Sequence, residues 1–408
     1  MPMKILVLNC GSSSVKYQLM NMANNAELLA IGLLDRVGLP DSVLKHQPRG
    51  KEKYKTIQDI KTHEEGIDLI VKILLDPDHG VLSDINEIYA VGHRVAHGGE
   101  KFRESVIITD KVLENLETTK ELAPLHNPAN INGILAMRKI LPSVPMVAVF
   151  DTAFHQTMPQ HAYMYALPYE LYENNQIRRY GFHGTSHKFV FHRACDAMFM
   201  SRDNVRAITC HLGNGASIAA IKNGKSVDTS MGLTPVEGLI MGTRSGDLDL
   251  GALLYIMKLK GLDLEGANNL INKKSGALGI SGISSDMRDI ESAAWVDGHK
   301  RAQLALDMYH YRIRKYIGAY AAVLGGLDLL VFTGGVGENG PETREEICKG
   351  FEYLGLNFDE ERNRGVRGKL ELISKQDSKV KVMVVPTNEE YVIANDTLKL
   401  VAYKKEQE

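Results

Sequence analysis

The sequence predicts an α/β protein of two domains, and three observations carry that prediction. At 408 residues the chain is longer than the roughly 250–300 at which one hydrophobic core stops growing. Short β-branched apolar runs alternate with longer stretches of helical periodicity, the pattern of an α/β protein. The layout of residues 5–16, a strand, a glycine-polar turn and a second strand, returns at residues 207–218. The echo fits a duplicated plan; two unrelated hairpins are the alternative.

The apolar runs fall at residues 5–8, 88–91, 144–150, 207–210, 327–332 and 380–385. After the first, Val15, Tyr17 and Leu19 alternate with Lys16 and Gln18, which predicts a hairpin and disfavours the strand-to-helix passage of a P-loop. No Walker sequence, GxxxxGK followed by Ser or Thr, occurs. Each run leads within a few residues to groups able to bind anions or metal: Asn9 with Ser12, Ser13 and Ser14, His93 with Arg94, Asp151, His211 with Asn214, Gly334 with Gly335, and Asn388 with Glu389. Open α/β sheets bind ligands at the carboxyl ends of their strands, so one convergent cleft is expected. Residues 297–320 lack proline and carry Tyr309, Ile313, Ile317 and Tyr320 at helical spacing. This predicts a helix whose tyrosines cover a core while its Arg and Lys stay solvated, in preference to an RNA surface. The segment from Glu389 onward reads as a closing helix.

Composition removes several function classes. With 48 Lys+Arg against 50 Asp+Glu the net charge is −2, so nothing draws the whole surface to nucleic acid or anionic membrane, and an anion site must be a local cluster of donors. The 44% apolar and 24% charged content is that of a globular protein. No apolar run approaches the ~20 residues of a membrane span, and the first residues lack a signal-peptide pattern. Cys10, Cys195, Cys210 and Cys348 form no CxxC pair and sit in or beside apolar segments, as buried thiols of a reducing compartment do. The expectation is a cytoplasmic protein without disulfides, membrane or nucleic-acid partners.

Three motifs invite chemistry. Residues 335–340 match GxGxxG after an apolar strand and before a Pro341-initiated helix, with Asp359 downstream; a glycine turn there serves any nucleotide phosphate, and nucleotide contact is favoured over a nicotinamide site. The HxxxH pairs His93/His97 and His183/His187 have zinc-hydrolase spacing but no Glu within them, and flanking glycines make them turns more than helices. Arg94 and Arg244 lie in glycine-bordered turns, where small neighbours let a ligand approach the guanidinium. For one such arginine a surface salt bridge is the ordinary reading. Two of them, with Asp151 and Glu389 available for a cation, fit a phosphoryl clamp with magnesium.

The motifs NCGSSSVK at 9–16, VGHRVAHGGE at 91–100, FDTAFH at 150–155, YGFHGTSH at 180–187, HLGNG at 211–215, MGTRSGD at 241–247, TGGVGEN at 333–339 and PTNEE at 386–390 together resemble the acetate kinase family, in order along nearly the whole chain. The resemblance implies the duplicated ribonuclease H-like fold of the actin and Hsp70 type, an interdomain cleft and a homodimer. It places an N-terminal domain at 1–154, completed by a C-terminal helix at 390–408, and a nucleotide-binding and dimerisation domain at 155–389. It implies reversible transfer of the ATP γ-phosphoryl to acetate, giving acetyl phosphate and ADP, with magnesium or alternatively manganese. Arg94, Asp151, His183 and Arg244 would be catalytic, with Arg94, Ala96, Leu125, Phe182 and Pro235 around the carboxylate substrate. Asn9 and Glu389 would organise the magnesium. Lys16, His211, Leu212, Gly213, Asn214, Gly215, Asp286, Met287, Arg288, Gly334, Gly335, Gly337 and Asn339 would bind nucleotide.

The residue types suit this chemistry. A carboxylate nucleophile is ionised at pH 7, so a general base is superfluous, and the task is to hold mutually repelling anions together. Two departures from the family pattern stand out. Ala96 occupies a position where many members carry Val, which predicts good acceptance of propionate; one buried methylene is worth only ~0.8 kcal/mol, so acetate remains a substrate. Ser245 and Leu250 stand where Cys and Pro are expected, which concerns the loop around Arg244. A nucleotide-switched binding protein of the actin or Hsp70 kind is a competing expectation, set back because no segment follows Glu408; an oxidoreductase is another.

Overall fold

The computed structural model describes residues 3–124 and 126–407, without the side chains of 405–407. Two compact units divide the chain, Met1–Ala153 with Asn388–Glu408, and Phe154–Thr387.

The first unit is built on strands β1 (Lys4–Cys10), β2 (Ser14–Asn21), β3 (Glu27–Asp35), β4 (Ser42–Pro48), β5 (Tyr54–Gln58), β6 (Ile88–Val95), β7 (Val106–Ile107) and β8 (Met146–Phe150). They form one sheet in the order β5-β4-β3-β2-β1-β6-β8-β7. The hairpin expected after residue 10 is present, with β2 antiparallel to β1, while β6 and β8 continue the sheet in parallel. Leu6, Leu8, Val15, Tyr17 and Leu19 face the helices His63–Leu75 and Asn127–Ile140. Ile5 and Val7 face Ile393, Ala394 and Val401 of the helix Glu389–Gln407. Cover on both faces is why β1 reads as an unbroken apolar run. Gly92 makes this seating possible: a Cβ there would lie 2.6 Å from Ile393 and 2.5 Å from Thr397.

The second unit contains β9 (Arg206–Leu212), β10 (Ala216–Lys222), β11 (Lys225–Thr229), β12 (Leu329–Thr333), β13 (Glu371–Leu372) and β14 (Lys381–Val384), in the order β11-β10-β9-β12-β14-β13. Within it, β11-β10-β9-β12-β14 repeats β3-β2-β1-β6-β8 strand for strand. In both sets the first three strands are antiparallel and the last two join in parallel. The echo at residues 207–218 is therefore one of topology, and the alternative of unrelated hairpins falls. The predicted tyrosine-bearing helix spans Lys300–Leu324, and Tyr309, Ile313, Ile317 and Tyr320 pack with Ile218 and Phe332 in the core.

Two local expectations are corrected. The glycine-rich segment read as a turn is itself a short helix, Gly334–Asn339, because Glu338 Oε1 accepts from the N–H groups of Gly334 and Thr387, both at 3.0 Å. The second HxxxH pair is half helical: His183 is the left-handed residue immediately before the helix Gly184–Ala197, and His187 lies in its first turn. Among the described residues no helix is long and apolar enough to cross a membrane.

Candidate active site

In the first unit the site grows from the ends of parallel strands. Arg94 lies on β6, Asp151 follows β8 directly and Asn9 lies on β1. Arg94 Nε donates to both oxygens of Asp151 at 3.1 Å, Nη2 donates to Asp151 Oδ2 at 2.5 Å, and Nη1 donates to Asn9 Oδ1 at 3.1 Å. Asp151 is buried and Arg94 keeps part of its side chain exposed. Its Coulombic pairing with Asp151 outweighs the desolvation of Arg94 and holds the guanidinium firmly charged. An arginine has five N–H donors, so one on each terminal nitrogen remains for a ligand.

Glu389, at the start of the closing helix, feels the same group. Burial pushes its carboxyl up to about 7, Arg94 works against that rise, and Asp151 and Glu390 add to it. Asn9, Lys16 and Glu390 line a cavity of ≈640 Å³ within this unit. Lys16, expected at the nucleotide, thus belongs to the N-terminal unit. His93 departs from its expected role at the strand end: it is 2% exposed, and burial lowers its pKa to about 3, leaving a neutral ring in the core.

In the second unit the site surrounds the hairpin turn between β9 and β10. Gly213 N–H donates to Gly215 O at 3.1 Å, closing the turn, and Gly242 N–H donates to Asn214 O at 3.0 Å. A Cβ on Gly215 would sit in van der Waals contact, 3.6 Å, with both Arg244 Nη1 and His183 Nε2, so the bare glycine backbone lies between guanidinium and imidazole. His183 adopts φ 55°, a left-handed conformation that costs a non-glycine residue energy and marks functional sites. Its ring stacks on His211 at 4.2 Å between centroids. Ser186 Oγ lies 2.8 Å from His211 Nδ1 and 2.8 Å from Thr387 Oγ1. Arg244 has no carboxylate within 4 Å among the described residues. It donates to Pro235 O at 3.2 Å and approaches Met241 Sδ at 3.4 Å, and desolvation lowers its pKa.

A cavity of ≈690 Å³ in this unit is lined by Gly213, Asn214, Asp286, Met287, Arg288, Gly335 and Asn339, all expected at the nucleotide. Asp286 and Arg288 form an ion pair of 2.6 Å at its edge. Glu291 and Arg367 also line the cavity, and neither stands in a motif that would have drawn attention to it. Leu212, Gly334 and Gly337 are buried and do not line it; alternation along β9 turns Leu212 into the core. Of the expected acyl-pocket residues, Ala96 is buried in the first unit and Phe182 and Pro235 belong to the second. Leu125 lies outside the described residues.

The strand order shared by the two units, with basic and amide groups at strand ends, is that of the duplicated ribonuclease H-like fold of the actin/Hsp70 and sugar-kinase type. A sequence profile described as the Acetokinase family matches residues 4–395. An acetate kinase of Thermoanaerobacter pseudethanolicus is 60% identical over 399 residues, covering 98% of this chain and 99% of that protein. The crystal structure of Porphyromonas gingivalis acetate kinase matches with TM-score 0.95 and 54% identity, covering 98% of this chain and all of that one. A propionate kinase from Francisella tularensis matches with TM-score 0.90 and 41% identity, covering 98% and 100%. The chain belongs to the acetokinase family and is a kinase.

Proposed function

We propose that the protein transfers the γ-phosphoryl of ATP to acetate, reversibly, forming acetyl phosphate and ADP, and that it also accepts propionate. The observation that carries this reading is the pairing of Arg244 with His183 across Gly215, a cationic and a hydrogen-bonding group with no carboxylate within 4 Å of the cation among the described residues. Such a pair suits a phosphoryl group whose charge spreads over its equatorial oxygens during transfer. Desolvation, which makes Arg244 costly in the empty protein, strengthens its field on a bound anion.

Arg94 does the complementary task. Asp151 and Asn9 fix its plane, so its remaining N–H groups are oriented for the carboxylate of the acyl substrate. With the nucleophile ionised and oriented, no side chain has to remove a proton. Asn9, Asp151 and Glu389 offer hard oxygen donors that fit magnesium, which typically binds through one or two carboxylates and substrate phosphates. Magnesium held there would offset charge on the nucleotide phosphates. The ≈690 Å³ cavity between the Asn214 turn and the Asp286–Arg288 pair takes the nucleoside. Smallness of Ala96 favours propionate beside acetate, and the family's homodimer and a cytoplasmic location complete the reading.

The test is acetate-dependent ATP consumption in magnesium buffer with hydroxylamine trapping of the acyl phosphate. Hydroxamate equal to the ADP formed is expected with acetate and with propionate. ADP release that ignores the carboxylic acid would instead indicate a nucleotide-switched binding protein.

A further inference from the structure

A chain of buried hydrogen bonds enters His183 from the side opposite Gly215. His183 Nδ1 is 2.9 Å from Ser217 Oγ, Ser217 Oγ is 2.7 Å from His187 Nε2, and His187 Nδ1 is 2.7 Å from Thr209 Oγ1. Thr209, Ser217 and His187 are fully buried. The fold assembles them: Thr209 sits two residues before His211 on β9, Ser217 pairs with His211 across the hairpin, and the first turn of the helix Gly184–Ala197 brings His187 between them.

The protons in this chain have two consistent arrangements. A serine hydroxyl has a single hydrogen, so Ser217 donates to one imidazole and accepts from the other. Burial keeps His187 far below the usual imidazole range, so its neutral ring donates at one nitrogen and accepts at the other. Thr209 breaks the tie. Among the described residues its hydroxyl has one hydrogen-bond partner, His187 Nδ1. Were that nitrogen the donor, the threonine hydrogen would be buried with no acceptor, which native structures avoid. The hydrogen bonds therefore run from Thr209 to His187, from His187 to Ser217, and from Ser217 to His183 Nδ1.

We infer that Thr209, His187 and Ser217 are positioning residues that fix the tautomer of His183, so that its Nε2 carries the hydrogen on the side of Gly215 and Arg244. No proton is transferred; the chain sets polarity alone. In the opposite tautomer a lone pair would face the phosphoryl oxygens and repel them. This inference rests on the reading of His183 as a hydrogen-bond donor to the transferring phosphoryl.

The test is ¹⁵N NMR of the histidine rings in the substrate-free protein, with kinetics of three variants. His183 and His187 are both expected as Nε2–H tautomers. Thr209→Val keeps the shape but removes the first donor, so His183 becomes a tautomer mixture and kcat falls roughly tenfold, short of the 10²–10³ for loss of a whole donor, with KM for ATP and acetate within about twofold. Thr209→Ser restores the donor and the rate. His187→Gln retains the polarity, its amide oxygen accepting from Thr209 and its NH₂ donating to Ser217, and stays nearer the parent rate than Thr209→Val does. An Nδ1–H tautomer at His183 in the parent protein overturns the inference, as does Thr209→Val with unchanged tautomers and kcat. Because the NMR readout needs no substrate, a correct tautomer in a protein without acetate-dependent turnover would sink the proposed reaction and leave the relay standing.

Discussion

In the N-terminal unit Arg94 is held by Asp151 and Asn9, and the ion pair keeps it charged; in the C-terminal unit Arg244 donates to a carbonyl, approaches a thioether sulfur and has no carboxylate within 4 Å among the described residues, and desolvation lowers its pKa. The first arrangement stabilises the folded chain and spends some of the guanidinium's donors doing so. The second leaves the cation uncompensated, at a cost to stability, until an anion arrives. Orientation and field strength are thus divided between two arginines. The proposed reaction needs both, one to aim the acyl carboxylate and the other to bear the migrating charge.

The largest expected effect is on turnover. Arg94→Ala and Arg244→Ala should each lower kcat by about 10³–10⁵ in the hydroxamate assay, and near-parent rates in either would dissolve the comparison. Stability should separate them. Arg94→Ala strands buried Asp151 and should cost on the order of 3 kcal/mol in urea unfolding, because breaking a buried pair leaves a charge behind.

Glu389 sharpens the contrast within the N-terminal unit. Its folded pKa, about 7 against 4.5 for the ordinary side chain, means that its favourable contribution is complete below pH 4.5 and is lost as pH rises through 7. Glu389→Gln should therefore melt close to the parent at pH 4.5 and above it at pH 8 in EDTA, while losing magnesium-dependent turnover. A difference that shrinks with rising pH would contradict the assignment. The smallest effect is at Ala96: Ala96→Val should reduce the propionate-to-acetate ratio of kcat/KM by roughly fourfold, the worth of one methylene, and an unchanged ratio would remove Ala96 from the acyl pocket.

Much of this arrangement was legible in the sequence because strand ends concentrate both pattern and chemistry. The apolar runs at residues 5–8, 207–210 and 327–332 became β1, β9 and β12, and the polar residues after them became the two clusters. What escaped depends on contacts distant in sequence. The helix Gly334–Asn339 needs Glu338 to bind the Thr387 N–H, and glycine content alone argues against helix. Thr209 does leave a signal in the sequence: Thr209 and His211 are polar positions two apart in the otherwise apolar, buried run 207–212, on one face of a pleat. The partner of Thr209, His187, is supplied by a helix that no local pattern ties to that strand.

The measurement that bears most directly on the division between the arginines is made on one preparation of Arg244→Leu, in which acetate-dependent hydroxamate formation and the melting temperature without ligand are recorded together. The account predicts turnover reduced by about 10³ or more with melting no lower than the parent's, since leucine removes an uncompensated cation. Retained turnover, or a melting temperature that falls by several degrees, would show that Arg244 serves the fold instead of the reaction.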